Sequence, residues 1–181
     1  MLKTKNRSFG NIVGHAKGVE NLTTLMNWSQ EQFDKSLSWD DVTWIKKLWK
    51  GPLILKGILD DKDAVIAKNL GVDGIIVSNH GGRQLDGTSS SIMALDKIVD
   101  KVGKDLEVYF DGGIRTGQDI VKTLSLGAKG VFMGRPYLYG LGAGGKEGVE
   151  KVLEIIVKEL QTTMVLCGET NANNLNIENL Y

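Results

Sequence analysis

The sequence predicts an α/β fold in which parallel strands alternate with helices, the arrangement from which a (β/α)8 barrel is built. Three observations carry this. Short apolar runs rich in β-branched residues recur at 53–57, 74–78, 106–110 and 130–133. Segments of helical periodicity follow them over 61–70, 90–102, 117–126 and 147–166, with a short segment at 137–141 before the last. The unit also echoes itself. Residues 53–78 align without a gap onto 109–134, pairing Gly57 with Gly113, Ile58 with Ile114, Asp63 with Asp119 and Leu70-Gly71 with Leu126-Gly127.

Ahead of the first strand, residues 1–35 show little periodicity. Asn6-Arg7-Ser8-Phe9-Gly10-Asn11 and Gly14-His15-Ala16-Lys17-Gly18 read as loop, with a helical turn or two over 21–28 and His15 exposed. Such a long irregular start suits a loop between elements better than the start of a compact domain. Ser38-Trp39-Asp40-Asp41 then offers a capping hydroxyl and two acids at a helix N-terminus. Val42, Ile45, Leu48 and Trp49 follow at helical spacing as far as Gly51-Pro52, with Trp44 and Trp49 expected as packing residues. The domain division is therefore a loop segment over 1–35 and strand–helix units within 36–181.

Bulk properties narrow the class. With 181 residues, 41% of them hydrophobic, the chain suits one soluble globular domain. Acidic and basic residues balance at 22 each, so no net field attracts nucleic acid or an anionic membrane. The single Cys167 forms no internal disulfide and fits a reducing compartment. No apolar run approaches the roughly 20 residues of a membrane span, and the polar, basic first ten residues do not read as a secretory signal. The expected location is the cytoplasm.

The chemistry concentrates where strands end. Val77-Ser78-Asn79-His80-Gly81-Gly82-Arg83-Gln84-Leu85-Asp86 follows the second apolar run, and the C-terminal ends of parallel strands are where α/β folds place their sites. His80 can take a proton near neutral pH, or it is simply a packed or solvated loop residue. Arg83 can hold a carboxylate through two parallel hydrogen bonds. A base three residues from a carboxylate clamp suggests chemistry on the carbon beside an acid group. Asp111-Gly112-Gly113-Ile114-Arg115 after the third run and Gly134-Arg135-Pro136 after the fourth read together as a phosphate site. Glycine N–H groups approach the oxygens there and Arg115 and Arg135 supply charge. Lys56, at the end of the first run, either meets a partner in the barrel mouth or reaches water.

The string S-N-H-G-G-R-Q-L-D resembles the active-site signature of the FMN-dependent α-hydroxy acid oxidases and dehydrogenases. Phe9-Gly10-Asn11-Ile12, Ser36-Leu37-Ser38-Trp39 and Leu55-Lys56-Gly57-Ile58-Leu59-Asp60 are most similar to the bacterial L-lactate dehydrogenases of respiratory type within that family. The resemblance implies FMN as cofactor and oxidation of an L-2-hydroxy acid, L-lactate above all, to the 2-oxo acid. It implies His80 as base and Arg83 as carboxylate clamp. Lys56 would lie at the flavin N1/O2 edge with Ser78 in support, and Asp111 on the ribityl hydroxyls. Gly112, Gly113, Arg115, Gly134 and Arg135 would bind the phosphate and ribityl chain. The four runs correspond to strands 5–8, the C-terminal half of a (β/α)8 TIM barrel, and residues 1–35 to the loop after strand 4. Two tyrosines, a second arginine and an aspartate that orients the histidine belong to the family's earlier strands and match no position here. The implied partners are a small 2-hydroxy acid, an electron acceptor (oxygen, a quinone or a cytochrome) and, for the full-length members of the family, further copies in a homo-oligomer. Peripheral attachment to the inner face of the cytoplasmic membrane is the implied alternative location. Two other readings stand beside this one: a non-catalytic half-barrel that binds FMN or phosphate, and another phosphate-binding barrel enzyme such as an IMP dehydrogenase or an FMN-dependent isomerase.

Overall fold

All four apolar runs form strands of one parallel sheet. In a computed structural model, which describes residues 9, 10 and 12–180, the strands are β1 (Ile54–Ile58), β2 (Gly74–Val77), β3 (Glu107–Asp111) and β4 (Gly130–Phe132). The helices are α1 (Leu22–Glu31), α2 (Trp39–Leu48), α3 (Asp61–Asn69), α4 (Ser91–Val102), α5 (Gly117–Ser125) and α6 (Arg135–Leu166). The sheet order is β1-β2-β3-β4 with every neighbour parallel, so each strand is joined to the next through a helix, as in one half of a (β/α)8 barrel. Residues 1–8 and Asn11, which belong to the expected N-terminal loop and to the Phe9–Ile12 motif, lie outside the described residues.

Two compact units make up the chain, Met1–Ile45 and Lys46–Tyr181. In the first, α1 is longer than the turn or two expected. Asn21 caps it through Oδ1, which accepts from the N–H groups of Thr23 and Thr24 at 3.0 Å each, while Thr24 Oγ1 accepts from Asn21 N–H. A capping box therefore specifies a helix where apolar spacing alone is weak. His15 is exposed, as expected.

In the second unit the core lies between the sheet and its helices. Ile75 and Val77 of β2 and Val108 and Phe110 of β3 are buried, together with Ala64 and Ala67 of α3 and Leu95, Ile98 and Val102 of α4. A smaller cluster joins Val121 of α5, Met164 of α6 and Leu175. Gly117 lets α5 touch α6 directly, because a Cβ there would lie 2.0 Å from Leu160 N. The internal echo holds for the order of elements but slips by one in register. Ile54 faces Gly74, whereas Tyr109 rather than Phe110 faces Gly130.

Two expectations need correction. The segments expected at 137–141 and 147–166 are the arms of α6, which breaks at Gly144 (φ −147°) and Gly145 (φ 58°). Eight residues of straight helix would separate Gly140 from Gly148 by about 12 Å. Instead a Cβ on Gly148 would meet Gly140 O at 2.0 Å, so the chain doubles back with two glycines at the crossing. The second correction concerns α2, which buries no residue. Trp44 and Trp49, expected to pack, are 60% and 56% exposed. Helical periodicity identifies a face able to be buried but not what lies against it. Trp49 instead folds over Gly51, and its Nε1 donates to Pro52 O at 2.9 Å.

Candidate functional site

The loop after β2 is held open by its own side chains. Asn79 Oδ1 accepts from Gly81 N–H at 3.0 Å, starting a 3₁₀ turn over His80–Gly82. Asn79 N–H donates to the buried Ser91 Oγ at 3.1 Å. His80 has φ 54°, the one non-glycine positive φ among the described residues, a conformation that costs of order 1–3 kcal/mol and persists only where its surroundings enforce it. The enforcement is local: His80 N–H donates to Ser78 Oγ at 3.0 Å.

Ser78 is the hub of this end of the sheet. It is 1% exposed, and its Oγ accepts from Lys56 Nζ at 2.9 Å and from His80 N–H while donating to Asp111 Oδ1 at 2.7 Å. A hydroxyl offers one donor and two acceptor sites, and all three are used. Lys56 Nζ also lies 3.0 Å from Asp111 Oδ2. The ends of β1, β2 and β3 are thus tied through three polar side chains. Buried polar groups are stable only when satisfied in this way.

Above the hub is a cleft of about 290 Å³ lined by Lys56, His80, Gly81, Arg83, the 111–115 loop and residues 132–138. Arg83 is exposed at its rim. Gly112 and Gly113 have φ of 110° and 122°, in the left-handed region that disfavours side chains. A Cβ on Gly112 would meet Ser91 Oγ at 2.5 Å, whereas Gly113 and Gly134 have open space where a side chain would stand. Gly134 precedes α6 and contributes no capping side chain, so the N–H groups of that first turn have no side-chain cap from it. Arg135 Nη2 donates to Gly81 O at 2.8 Å, joining the loops after β4 and β2. Four cations, Lys56, Arg83, Arg115 and Arg135, line the cleft against one carboxylate, Asp111.

Asp119 shapes the 111–115 loop from below. Its Oδ2 accepts from Arg115 N–H at 3.0 Å and from Thr116 N–H at 2.9 Å, and Thr116 Oγ1 accepts from Asp119 N–H in return. Partial burial pushes the Asp119 carboxyl up, but the bonds from Arg115 and Thr116, with Lys122 nearby, outweigh it and hold the group below its ordinary range.

Every candidate catalytic, substrate-binding and cofactor-binding residue named from the sequence therefore reaches one cleft or the hub beneath it. Lys56, His80, Arg83, Asp111, Gly112, Gly113, Arg115, Gly134 and Arg135 line the cleft, and Ser78 lies under it. Sequence reading passed over Asn79 and Ser91. Asn79 was legible as an Asx turn, since asparagine before paired glycines makes that turn by bonding its own backbone. Ser91 lies at the start of the helix expected over 90–102. In fact Ser90 is the N-cap without a capping bond, and Ser91 turns inward to the Asn79 backbone.

Fold and cleft together define a half-barrel α/β protein with a basic, glycine-lined cavity at the C-terminal ends of its strands. The model of the FMN-dependent dehydrogenases matches residues 2–181, and the chain belongs to that family. It is 49% identical over 166 residues to an L-lactate dehydrogenase of Pseudomonas syringae pv. syringae, covering 92% of this chain and 44% of that protein. With the L-lactate dehydrogenase of Azorhizobium caulinodans it shares 51% over 164 residues, covering 91% and 43%. Among solved structures, the monotopic membrane protein (S)-mandelate dehydrogenase superposes with a TM-score of 0.82 at 38% identity, covering 88% of this chain and 42% of that one. Flavocytochrome b2 with sulfite bound superposes at 0.78 with 39% identity, covering 86% and 42%. The chain thus spans less than half the length of the relatives it matches. No described helix is long and apolar enough to cross a membrane.

Proposed function

We propose that the cleft binds FMN and serves the oxidation of an L-2-hydroxy acid, L-lactate above all, to the 2-oxo acid. The observation that carries this is the convergence, in a chain of the FMN-dependent dehydrogenase family, of His80, Arg83 and a glycine-lined cavity of four cations. The residues fit the cofactor on their own chemistry. Gly113, Gly134 and the start of α6 leave room and backbone donors for a phosphate, with Arg115 and Arg135 as counter-charges. Lys56 would face the flavin ring edge with Ser78 behind it, Asp111 the ribityl hydroxyls, and Gly112 the loop's close approach. Bound there, FMN would supply a two-electron acceptor.

In this reading Arg83 grips the substrate carboxylate, which brings carbon 2 and its hydroxyl to the imidazole. His80 takes one of the two hydrogens lost, as a proton from carbon 2 or from its hydroxyl, and holds it on a ring nitrogen; the other hydrogen and the two electrons would pass to FMN bound in the cleft, which balances conversion to the 2-oxo acid. The buried Ser78 bonds both the histidine backbone and the Lys56 ammonium, which positions the two side by side at the floor of the cleft. Residues 1–35 correspond to the family's loop after strand 4 and residues 36–181 to half of its FMN-binding barrel. We further propose that the full-length protein assembles as a homo-oligomer and acts in the cytoplasm, with peripheral attachment to the inner membrane face as the alternative.

A second reading, FMN binding without turnover, is favoured by one feature. Among the hydrogen bonds of the described residues His80 contributes only through its backbone, so no carboxylate among those residues orients the ring as an effective base requires. One experiment separates the two. The chain is mixed with FMN, free flavin is removed by gel filtration, and the visible spectrum of the protein peak is recorded. A near-stoichiometric flavin peak, lost in Arg135→Ala, supports the cleft, and a colourless peak refutes it. Bleaching of the bound flavin by L-lactate under nitrogen then supports catalysis, and a flavin that stays yellow favours the second reading. Adding oxygen, a quinone or a cytochrome to the bleached protein identifies the acceptor.

A further inference from the structure

We infer that Gly57 is a positioning residue for His80: the side chain missing from a bulge in β1 is the seat of the imidazole. The inference rests on the reading of His80 as the base. β1 and β2 pair regularly until Lys56 faces Ile76, and then Ile58, not Gly57, faces Val77. Gly57 is therefore the extra residue of a β-bulge, a device that re-aims the chain beside functional sites. Its φ is 102°, so the backbone there is one that only glycine adopts freely.

The space where a side chain would stand is filled by the histidine. A Cβ on Gly57 would lie 2.6 Å from His80 Cε1, 3.4 Å from Nδ1 and 3.6 Å from Nε2. All three atoms on the proton-carrying side of the ring thus lie over one residue. Cε1 stands between the two nitrogens, so contact at that atom governs where each nitrogen reaches. The other end of the residue is pinned by the bond from His80 N–H to Ser78 Oγ. The backbone of His80 thus meets Ser78, just after β2, while its ring tip lies against Gly57 of β1. The same bulge follows Lys56, whose Nζ bonds Ser78. Lys56 and the His80 ring line the same cleft on either side of this irregularity. A glycine inside a strand commonly marks such a close approach.

The perturbation is Gly57→Ala. It introduces two effects, a strained backbone at positive φ and a collision with the ring, and only the second depends on His80. Because the collision is with the tip of a rotatable side chain, the ring moves and the fold persists. A double-mutant cycle isolates the collision: Gly57→Ala should lower Tm more in the natural background than in a His80→Ala background. The chain has two histidines, so two Cε1–H resonances are seen by NMR, and His80→Ala assigns them. The Gly57 Hα and His80 Cε1–H protons should show a nuclear Overhauser effect in the unsubstituted chain. The His80 resonance should shift in Gly57→Ala while that of His15 stays. Equal Tm losses in both backgrounds with an unmoved His80 resonance overturn the inference. Should Gly57→Ala not fold, the Overhauser effect in the unsubstituted chain decides alone, and its absence overturns the inference. None of these measurements uses flavin or substrate. A colourless FMN peak would therefore sink the functional reading and leave the seat standing, and a missing Overhauser effect would do the reverse.

Discussion

Two buried serines, Ser78 and Ser125, should respond in opposite senses to the same change. Each is almost inaccessible, at 1% and 3%. Ser78 Oγ uses all its hydrogen-bonding capacity, two of its three bonds going to the charged Lys56 and Asp111. Ser125 Oγ has no partner among the described residues. Bonds to charged groups are worth about 1.5–3 kcal/mol each and neutral ones about 1 kcal/mol. Lys56 and Asp111 retain their direct contact at 3.0 Å and partial access to water in Ser78→Ala, which recovers part of that. A net loss of about 2–3 kcal/mol remains, or about 5–10 °C in Tm for a chain of this size. Ser125→Ala instead removes an unsatisfied hydroxyl and places a better helix former in α5. Its stability should be unchanged or higher by about 1 kcal/mol. Thermal and urea unfolding followed by far-UV circular dichroism measure both. Equal losses in the two variants would refute the premise that satisfaction of the hydroxyl, and not its burial, determines the cost.

Other consequences concern stability and pH. The Asp119 carboxyl is held below its ordinary value of 3.8, so its contribution is fully present above the unfolded value and disappears as pH falls through the lower folded one. Asp119→Asn should therefore be less stable by about 1 kcal/mol at neutral pH, with the gap to the unsubstituted chain closing in an acid titration of stability as pH falls below the ordinary carboxylate value and through the lower folded one; a gap independent of pH contradicts the assignment. Gly117→Ala should cost about 2–3 kcal/mol or more, since its Cβ would strike the backbone of α6 at Leu160 N and Glu159 C; a urea midpoint unchanged from the natural chain counts against the close packing of α5 on α6. Gly148→Ala should lose a comparable amount by driving Gly140 O away. Near-native stability there would mean that the two arms of α6 do not cross at these glycines.

Much of this molecule is legible without coordinates because its signals are local. An apolar β-branched run of four or five residues can be little other than a strand, and its position before 111–115 or 78–83 marks the following residues as strand-end loops. Hence Lys56, His80, Arg83, Asp111, Arg115 and Arg135 could be named from the amino-acid order, and all reach one cleft. The exposed α2 shows where such reasoning stops. Val42, Ile45 and Leu48 have helical spacing and form a helix, yet none is buried, because spacing describes one surface and burial requires two.

The amino-acid order alone determined the strands, most of the helices, the strand-end location of the polar residues and the family signature, since each depends on neighbours within a few positions. The tertiary structure decided how those residues engage one another. Lys56 meets Ser78 across 22 positions, Ser78 meets Asp111 across 33, and Arg135 meets Gly81 across 54. Such contacts depend on strand register and on the order of the strands in the sheet. A shift of one residue would turn the side chains of a strand to its other face. The physical reason for the division is that propensity and periodicity act along the chain, whereas a hydroxyl's three partners are chosen in space.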